Sequence, residues 1–381
     1  MSQPILQFGT SRFLQAHVDL FVSQALERGA AGQALGGIAV VQTTGNPASA
    51  ARIQALAGGA GYPVHIRGLQ DGRRVEENLT CRAIRQAWRA DAGWPALLET
   101  VASDVRVIVS NTADRGYELD GLDGPELVGD VRRAPRSFPA KLLVLLHHRW
   151  RELPEVGLSI YPCELVERNG DVLHGIVRTL ALQWKLDPDF IAWLGGRCVW
   201  ANCLVDRIVS QALQPVGAIA EPYALWAIER RPGLLLPCSH EHILPTDDLA
   251  HHARLKLFLL NAGHTFLAER WLTGPRDPAA TVLQAMQGAV SRGELEAFWS
   301  EDVLPVFSAL GQGAQAQAYL AQLRERLLNP FLDHRLADIA QNHAQKKQRR
   351  FAPVVALAAE LGCTIPQRRL RAALASPLGG P

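Results

Sequence analysis

Short apolar runs rich in β-branched residues alternate with amphipathic stretches through the first half of the chain. The runs at 5–8 (ILQF), 38–42 (IAVVQ), 105–111 (VRVIVSN) and 157–165 (GLSIYPCEL) read as strands. Stretches at 13–28, 138–150 and 171–184 repeat their apolar positions at helical spacing, and the second carries a proline in its first turn. Strands alternating with helices imply a parallel sheet covered on both faces. From about Asp206 the pattern becomes helical, over 249–272, 278–290, 292–310, 313–328, 335–361 and 367–374, with 223–229 as a remaining strand. The pattern predicts an α/β domain over 1–212 and a mostly α-helical domain over 213–381.

The first strand runs into "FGTSRFLQAH", so Gly9 falls between a strand and a helix. In a Rossmann-type domain such a turn presents backbone amides and a helix N-terminus to a pyrophosphate. This makes Gly9, Thr10, Ser11 and Phe13 candidates for cofactor binding, against the plainer reading of an ordinary strand-to-helix turn. Ser11 stands where the usual fingerprint has a second glycine. The second strand ends in "VVQTTGN", with Gln42 where an acidic residue typically holds the ribose of NAD, and no arginine beside it to hold a 2′-phosphate. NAD is therefore expected over NADP. Asn111, at the end of its strand, is expected beside the nicotinamide, or else is a turn residue.

Only five of the 39 basic residues other than histidine are lysines: Lys141, Lys185, Lys256, Lys346 and Lys347. Lysine at 256 opens "KLFLLNAGH", an apolar run that also holds Asn261 and His264. Arginine keeps its proton in a protein, whereas a desolvated lysine releases it. On an α-helix Lys256 and His264 lie about 80° apart, with Asn261 about 60° further round. The apolar surroundings are expected to lower the lysine pKa, so that Lys256 exchanges a proton with an alcohol or ketone oxygen while Asn261 and His264 bind that oxygen or its neighbours. The alternative is a lysine at the edge of a core helix with its ammonium in water.

A net charge of +2 gives no sign of a polyanionic partner. No window nears the roughly 18 apolar residues of a membrane span, and the N-terminus lacks the pattern of a signal peptide. Six cysteines without a C-x-x-C pair point to free thiols in the cytoplasm.

The spacing Lys256-x4-Asn261-x2-His264 resembles the signature of the mannitol dehydrogenase family, the polyol-specific long-chain dehydrogenases and reductases. "QFGTSRFLQAHVD" is similar to that family's glycine turn, with Gln15 in place of an arginine. "VSNTADRGY", "FPAKL", "PCELVERNGD", "NCLVDRIV" and "EPYALWAIE" match in order. "SNT", "PCEL…NGD", "LVDRIV" and "LLNPFLDHRLADIAQN" look most like the tagaturonate and fructuronate reductase branch, although Leu328 stands where an arginine usually precedes Asn-Pro. The resemblance implies a Rossmann-type domain, a helical domain and a site in the cleft between them. It also implies NAD, no catalytic metal, Lys256 as general acid/base, and Asn261 and His264 on the substrate. Asp206 matches the acidic residue of the family's V-D-R motif near the substrate; it could equally be the N-cap of a helix over "RIVSQAL". Glu164 lies beside a family substrate position, and Arg207 is a candidate clamp for a substrate carboxylate. The expected substrate is a keto sugar acid, with a neutral polyol or polyol phosphate as the alternative. Whether the chain is a monomer or a homo-oligomer stays open.

Three stretches point to other classes. His240 and His242 in "SHEHILPTDDLAHH" could ligate the metal of a sugar isomerase or lyase. The basic stretches "QKKQRRF" and "QRRLRAAL" could bind nucleic acid, but without stacking aromatics they read as solvated helix faces.

Overall fold

The computed structural model describes residues 3–43, 50–112 and 116–376. Its chain forms two compact units. The first comprises 1–65, 78–220 and 224–249, and the second 66–77, 221–223 and 250–381. The expected boundary at 212/213 lies inside the first.

The first unit is built on a six-stranded parallel sheet. Its strands are β1 (Ile5–Phe8), β2 (Ile38–Gln42), β3 (Ile84–Arg89), β4 (Val107–Ser110), β5 (Ser159–Pro162) and β6 (Val199–Trp200), in the spatial order 3-2-1-4-5-6. That is the doubly wound dinucleotide-binding order, and its direction reverses between β1 and β4. Every residue of β1, β2, β4 and β5 is buried, as strands covered on both faces require. Helices Phe138–Glu152 and Asn169–Gln183 join these strands in one apolar core.

Several expected elements differ. The helix expected over 13–28 is two, Arg12–Gln15 and Val18–Glu27, broken at His17 (φ −128°, ψ −97°). The break follows from where side chains go. The His17 ring turns inward, its Nε2 donating to the Leu225 carbonyl at 3.0 Å, and it packs between Phe13 and Phe21. The segment after Asp206 is not helical. Val209–Ala212 pairs antiparallel with Ala218–Ala220, so Asp206 caps no helix there. It ends strand Cys203–Asp206, which pairs with Leu225–Glu229, and Ile243–Thr246 pairs with the latter in parallel. A hairpin, Tyr62–Gln70 with Arg73–Cys81, was also not expected.

The second unit is helical around its own core. Its first long stretch is α-helix at Leu249–Arg254, π-helix at Leu255–Asn261 and α-helix again at Ala262–Thr273. The next is interrupted in the same way by a π segment at Phe298–Val303. The hairpin tip, 66–77, is tied into this unit: Glu325 accepts from the amides of Asp71 and Gly72, and Asn329 donates to the Arg67 carbonyl.

Candidate active site

Gly9 leaves β1 with φ +116°, a conformation that disfavours any side chain. A Cβ there would also lie 2.5 Å from the Asn111 carbonyl oxygen. The missing side chain therefore lets the end of β1 close on its neighbours on both sides: Gly9 N–H donates to Val41 O of β2, and Asn111 N–H, just past β4, to Phe8 O, each at 2.9 Å. Ser11 caps the short helix by accepting from Leu14 N–H (3.2 Å) and donates its hydroxyl to Asn111 Oδ1 (3.1 Å). Asn111 Nδ2 donates to the Cys163 carbonyl at 2.8 Å. Asn111 is thus a strut across the carboxyl ends of β1, β4 and β5, with both amide atoms engaged. Gln15 braces the same turn from below, donating to Thr10 O and accepting from Gly217 N–H.

Glu164 is buried. Its carboxylate accepts from the Thr112 amide and hydroxyl (3.0 and 2.9 Å), the Ser110 hydroxyl (3.0 Å) and the Tyr117 hydroxyl (3.3 Å). Arg207 donates Nη1 to the Ala16 carbonyl at 2.7 Å, where the helix break leaves that oxygen without its helical donor. These contacts are those of braces, holding the strand ends and the turn in place. Asp206 is buried, and its charge acts on His17. Burial, the dominant effect, holds His17 neutral, with a pKa pushed down to about 3. Gln42 is buried at the end of β2, and the residues that follow it at 44–46 lie outside the described ones, as do 113–115 of "SNTADRGY".

The residues fit a dinucleotide. The sheet has its switch point between β1 and β4, and the turn there is one that only glycine makes without strain.

His240 stacks on Phe21, and His242 packs against the same ring at a tilt. His240 Nε2 faces Gln24 Oε1 at 3.0 Å, and its Nδ1 accepts the His242 amide at 3.2 Å. Among the described residues no group of three His, Cys, Asp or Glu side chains is placed to hold a metal ion.

Lys256, Asn261 and His264 lie on the first long helix of the second unit, and the π segment changes their geometry from the α-helical one expected. On an α-helix Lys256 and Asn261 would stand about 140° apart. The i→i+5 winding puts residues five apart in the relation that i and i+4 have on an α-helix, one above the other. Lys256 and Asn261 are partly exposed on that face, and His264 is buried. Its Nε2 has no hydrogen-bond partner among the described residues. The ring meets that of His334 edge-on, with centroids 4.8 Å apart. Burial first, then repulsion from the neighbouring His334, Arg350, Arg326 and Lys346, holds the His264 pKa well below the ordinary histidine value, so the ring is neutral.

His334 and Arg350 were not singled out from the sequence, and Lys346 only as one of the five lysines. The stretch "QKKQRR" is solvated at Gln345, Gln348 and Arg349, while its other face turns inward. Arg350 Nη1 donates to Asn261 O (3.3 Å) and Thr265 Oγ1 (3.0 Å), Lys346 Nζ to Ile339 O (2.8 Å), and buried Lys347 to Ala373 O (2.7 Å). The scarcity of lysine was the available signal. Besides Lys256, Lys141 and Lys347 are buried and Lys346 half-buried, and Lys185 is exposed.

A doubly wound sheet with a glycine turn at its switch point, joined to a helical unit carrying a Lys/Asn/His face, defines a dehydrogenase of two-domain type. The chain belongs to the mannitol dehydrogenase family: residues 3–234 match its Rossmann domain and 248–376 its C-terminal domain. It is 31% identical over 377 residues to altronate oxidoreductase of Halalkalibacterium halodurans, covering 93% of this chain and 70% of that one. The altronate oxidoreductase of Bacillus subtilis is 29% identical over 395 residues, covering 96% and 77%. Among solved structures, a D-sorbitol dehydrogenase in substrate-free form superposes with a TM-score of 0.76 at 19% identity, over 94% of this chain and 77% of that one. A Pseudomonas fluorescens mannitol 2-dehydrogenase, in ternary complex with NAD and D-mannitol, gives 0.74 at 17%, over 98% and 78%. These two likenesses are of fold.

Proposed function

We propose that the chain is an NAD(H)-dependent oxidoreductase interconverting a keto sugar acid of the tagaturonate or fructuronate type with its aldonate. The observation that carries this reading is the π winding that aligns Lys256 with Asn261, beside the unpartnered Nε2 of neutral His264. NADH, when bound, supplies the hydride that reaches the carbonyl carbon. Lys256 gives its proton to the carbonyl oxygen and takes it back in oxidation. Asn261 donates its side-chain amide to the same oxygen, and His264 binds a neighbouring hydroxyl. Gly9, Thr10, Ser11 and Phe13 form the cofactor turn, with Gln42 and Asn111 at the strand ends beside it. Asp206, Arg207 and Glu164 support the substrate side indirectly, through His17, the Ala16 carbonyl and the end of β4. Arg350 and Lys346, which act on His264, favour a substrate bearing a carboxylate. No helix among the described residues is long and apolar enough to cross a membrane. Six free cysteines, five of them buried, support a reducing compartment, the cytoplasm.

The test is a pair of substitutions. Lys256→Ala is expected to bind NADH normally and to lose roughly 10²–10⁴-fold in kcat. Lys256→Arg is expected to be nearly as poor, because arginine keeps its proton. An active arginine variant would remove Lys256 from the proton-transfer role.

A further inference from the structure

The π segment Leu255–Asn261 needs a physical cause. A single π turn is rare within an α-helix, and it usually marks a place where something enters the hydrogen-bond ladder. The second π segment, Phe298–Val303, has its cause in the sequence. Pro305, at the start of the helix that follows, lacks the N–H that would bond the Glu301 carbonyl one turn back. The first has no such cause: "LKLFLLN" holds neither proline nor glycine, and α-helix continues on both sides. The cause is tertiary. Trp299, presented by the second π segment and fully buried, donates its indole Nε1–H to the Leu259 carbonyl at 3.1 Å. Its ring packs against Gly263, where an added Cβ would come within 3.1 Å of it. The Arg324 guanidinium sits 5.9 Å from the ring centroid and is itself paired with both Glu296 oxygens at 2.7 Å.

We infer that Trp299 is a positioning residue: its indole N–H, held on the Leu259 carbonyl, fixes the π winding that places Asn261 over Lys256. This rests on the reading of Lys256 as proton donor given above. The Leu259 carbonyl also accepts from the Ala262 N–H, which at the same time bonds the Leu257 carbonyl in the π register. Without the indole N–H the ladder loses its tertiary anchor and returns to α-helical bonds. Asn261 then swings away from Lys256 towards the α-helical separation of about 140°. A misplacement of about 1 Å in a reacting constellation costs on the order of 10²-fold in rate.

The experiment replaces Trp299 at that one position with benzothienylalanine, which keeps the ring shape and substitutes sulfur for N–H; Trp299→Phe is the genetically simple companion. Steady-state kinetics, NADH affinity by fluorescence titration and melting temperature are measured on the full chain, with Lys256→Ala alongside. The expected result for the sulfur variant is a fall in kcat of about 10²-fold, with NADH affinity unchanged and substrate KM changed far less than kcat. Trp299→Phe is expected to follow it. Wild-type kcat in the sulfur variant, with Lys256→Ala inactive, would overturn the inference and leave the lysine assignment standing. Loss of NADH affinity in step with kcat would mark Trp299 as a general core residue and overturn it too. An active Lys256→Ala would instead defeat the underlying reading.

Discussion

Asp19 shows how the interior of the first unit sets the charge of one carboxyl. It is buried, and Tyr62 donates its hydroxyl to Oδ2 at 2.8 Å. Burial outweighs that hydrogen bond, and it pushes the pKa up to about 7. The native state therefore holds a proton that the unfolded chain releases near pH 4. Stability from this group is complete below about pH 4 and is lost as pH rises to about 7, by an amount on the order of 4 kcal/mol. Asp19→Asn is expected to remove that fall, so urea melts at pH 5 and pH 8 should differ by less in the variant than in the wild type. An equal difference in both would mean that Asp19 stays ionised in the fold. At this scale the sequence was partly legible. Lysine in an arginine-rich chain marked Lys256, and the same argument extends to Lys141 and Lys347, both buried in the fold. Lys141 is pushed down to about 8 by burial and donates to the Arg136 carbonyl at 2.5 Å. His334 carried no such mark, because its pairing with His264 depends on a turn far along the chain.

At the scale of elements, the strands buried on both faces were readable because their apolar runs are continuous: β1 and β2 fall where expected, and β4 and β5 lie within the runs at 105–111 and 157–165. The hairpin strands Tyr62–Gln70 and Arg73–Cys81 were not, because their partly exposed residues mix charges and polar groups through the run. The π turn left no trace in the pattern, since "LKLFLLN" is apolar at any winding. Gly9→Ala must place a Cβ 2.5 Å from the Asn111 oxygen at positive φ. It should lower both melting temperature and NADH affinity, and a variant with wild-type values for both would show that the turn is not fixed by this approach. Lys347 bonds the Ala373 carbonyl and pairs with Glu269 at 3.4 Å, beside the Glu269–His343 contact. Removing one member of a buried charge pair costs about 3–5 kcal/mol. Lys347→Ala should therefore lose stability on that scale in denaturant melts, and a loss under about 1 kcal/mol would mean that the group is effectively solvated.

For the whole molecule, membership of the mannitol dehydrogenase family rests on matches over both parts of the chain. The chain spans 70% and 77% of the two altronate oxidoreductases compared with it. Substrate class was legible only through motif resemblance, because several of the motif residues, Asn111, Glu164 and Asn169 among them, hold strand ends together. The central claim is that the chain reduces a keto sugar acid with NADH, and it turns on the substrate carboxylate. A site built around cations for a carboxylate rejects the analogue lacking it by up to about 10⁴–10⁵-fold. The most direct measurement is kcat/KM for NADH oxidation with tagaturonate and fructuronate against fructose and fructose 6-phosphate, on one preparation. One of the uronates is expected to exceed both of the others by orders of magnitude. Fructose performing as well as either uronate would contradict the account and place the chain with dehydrogenases of neutral polyols.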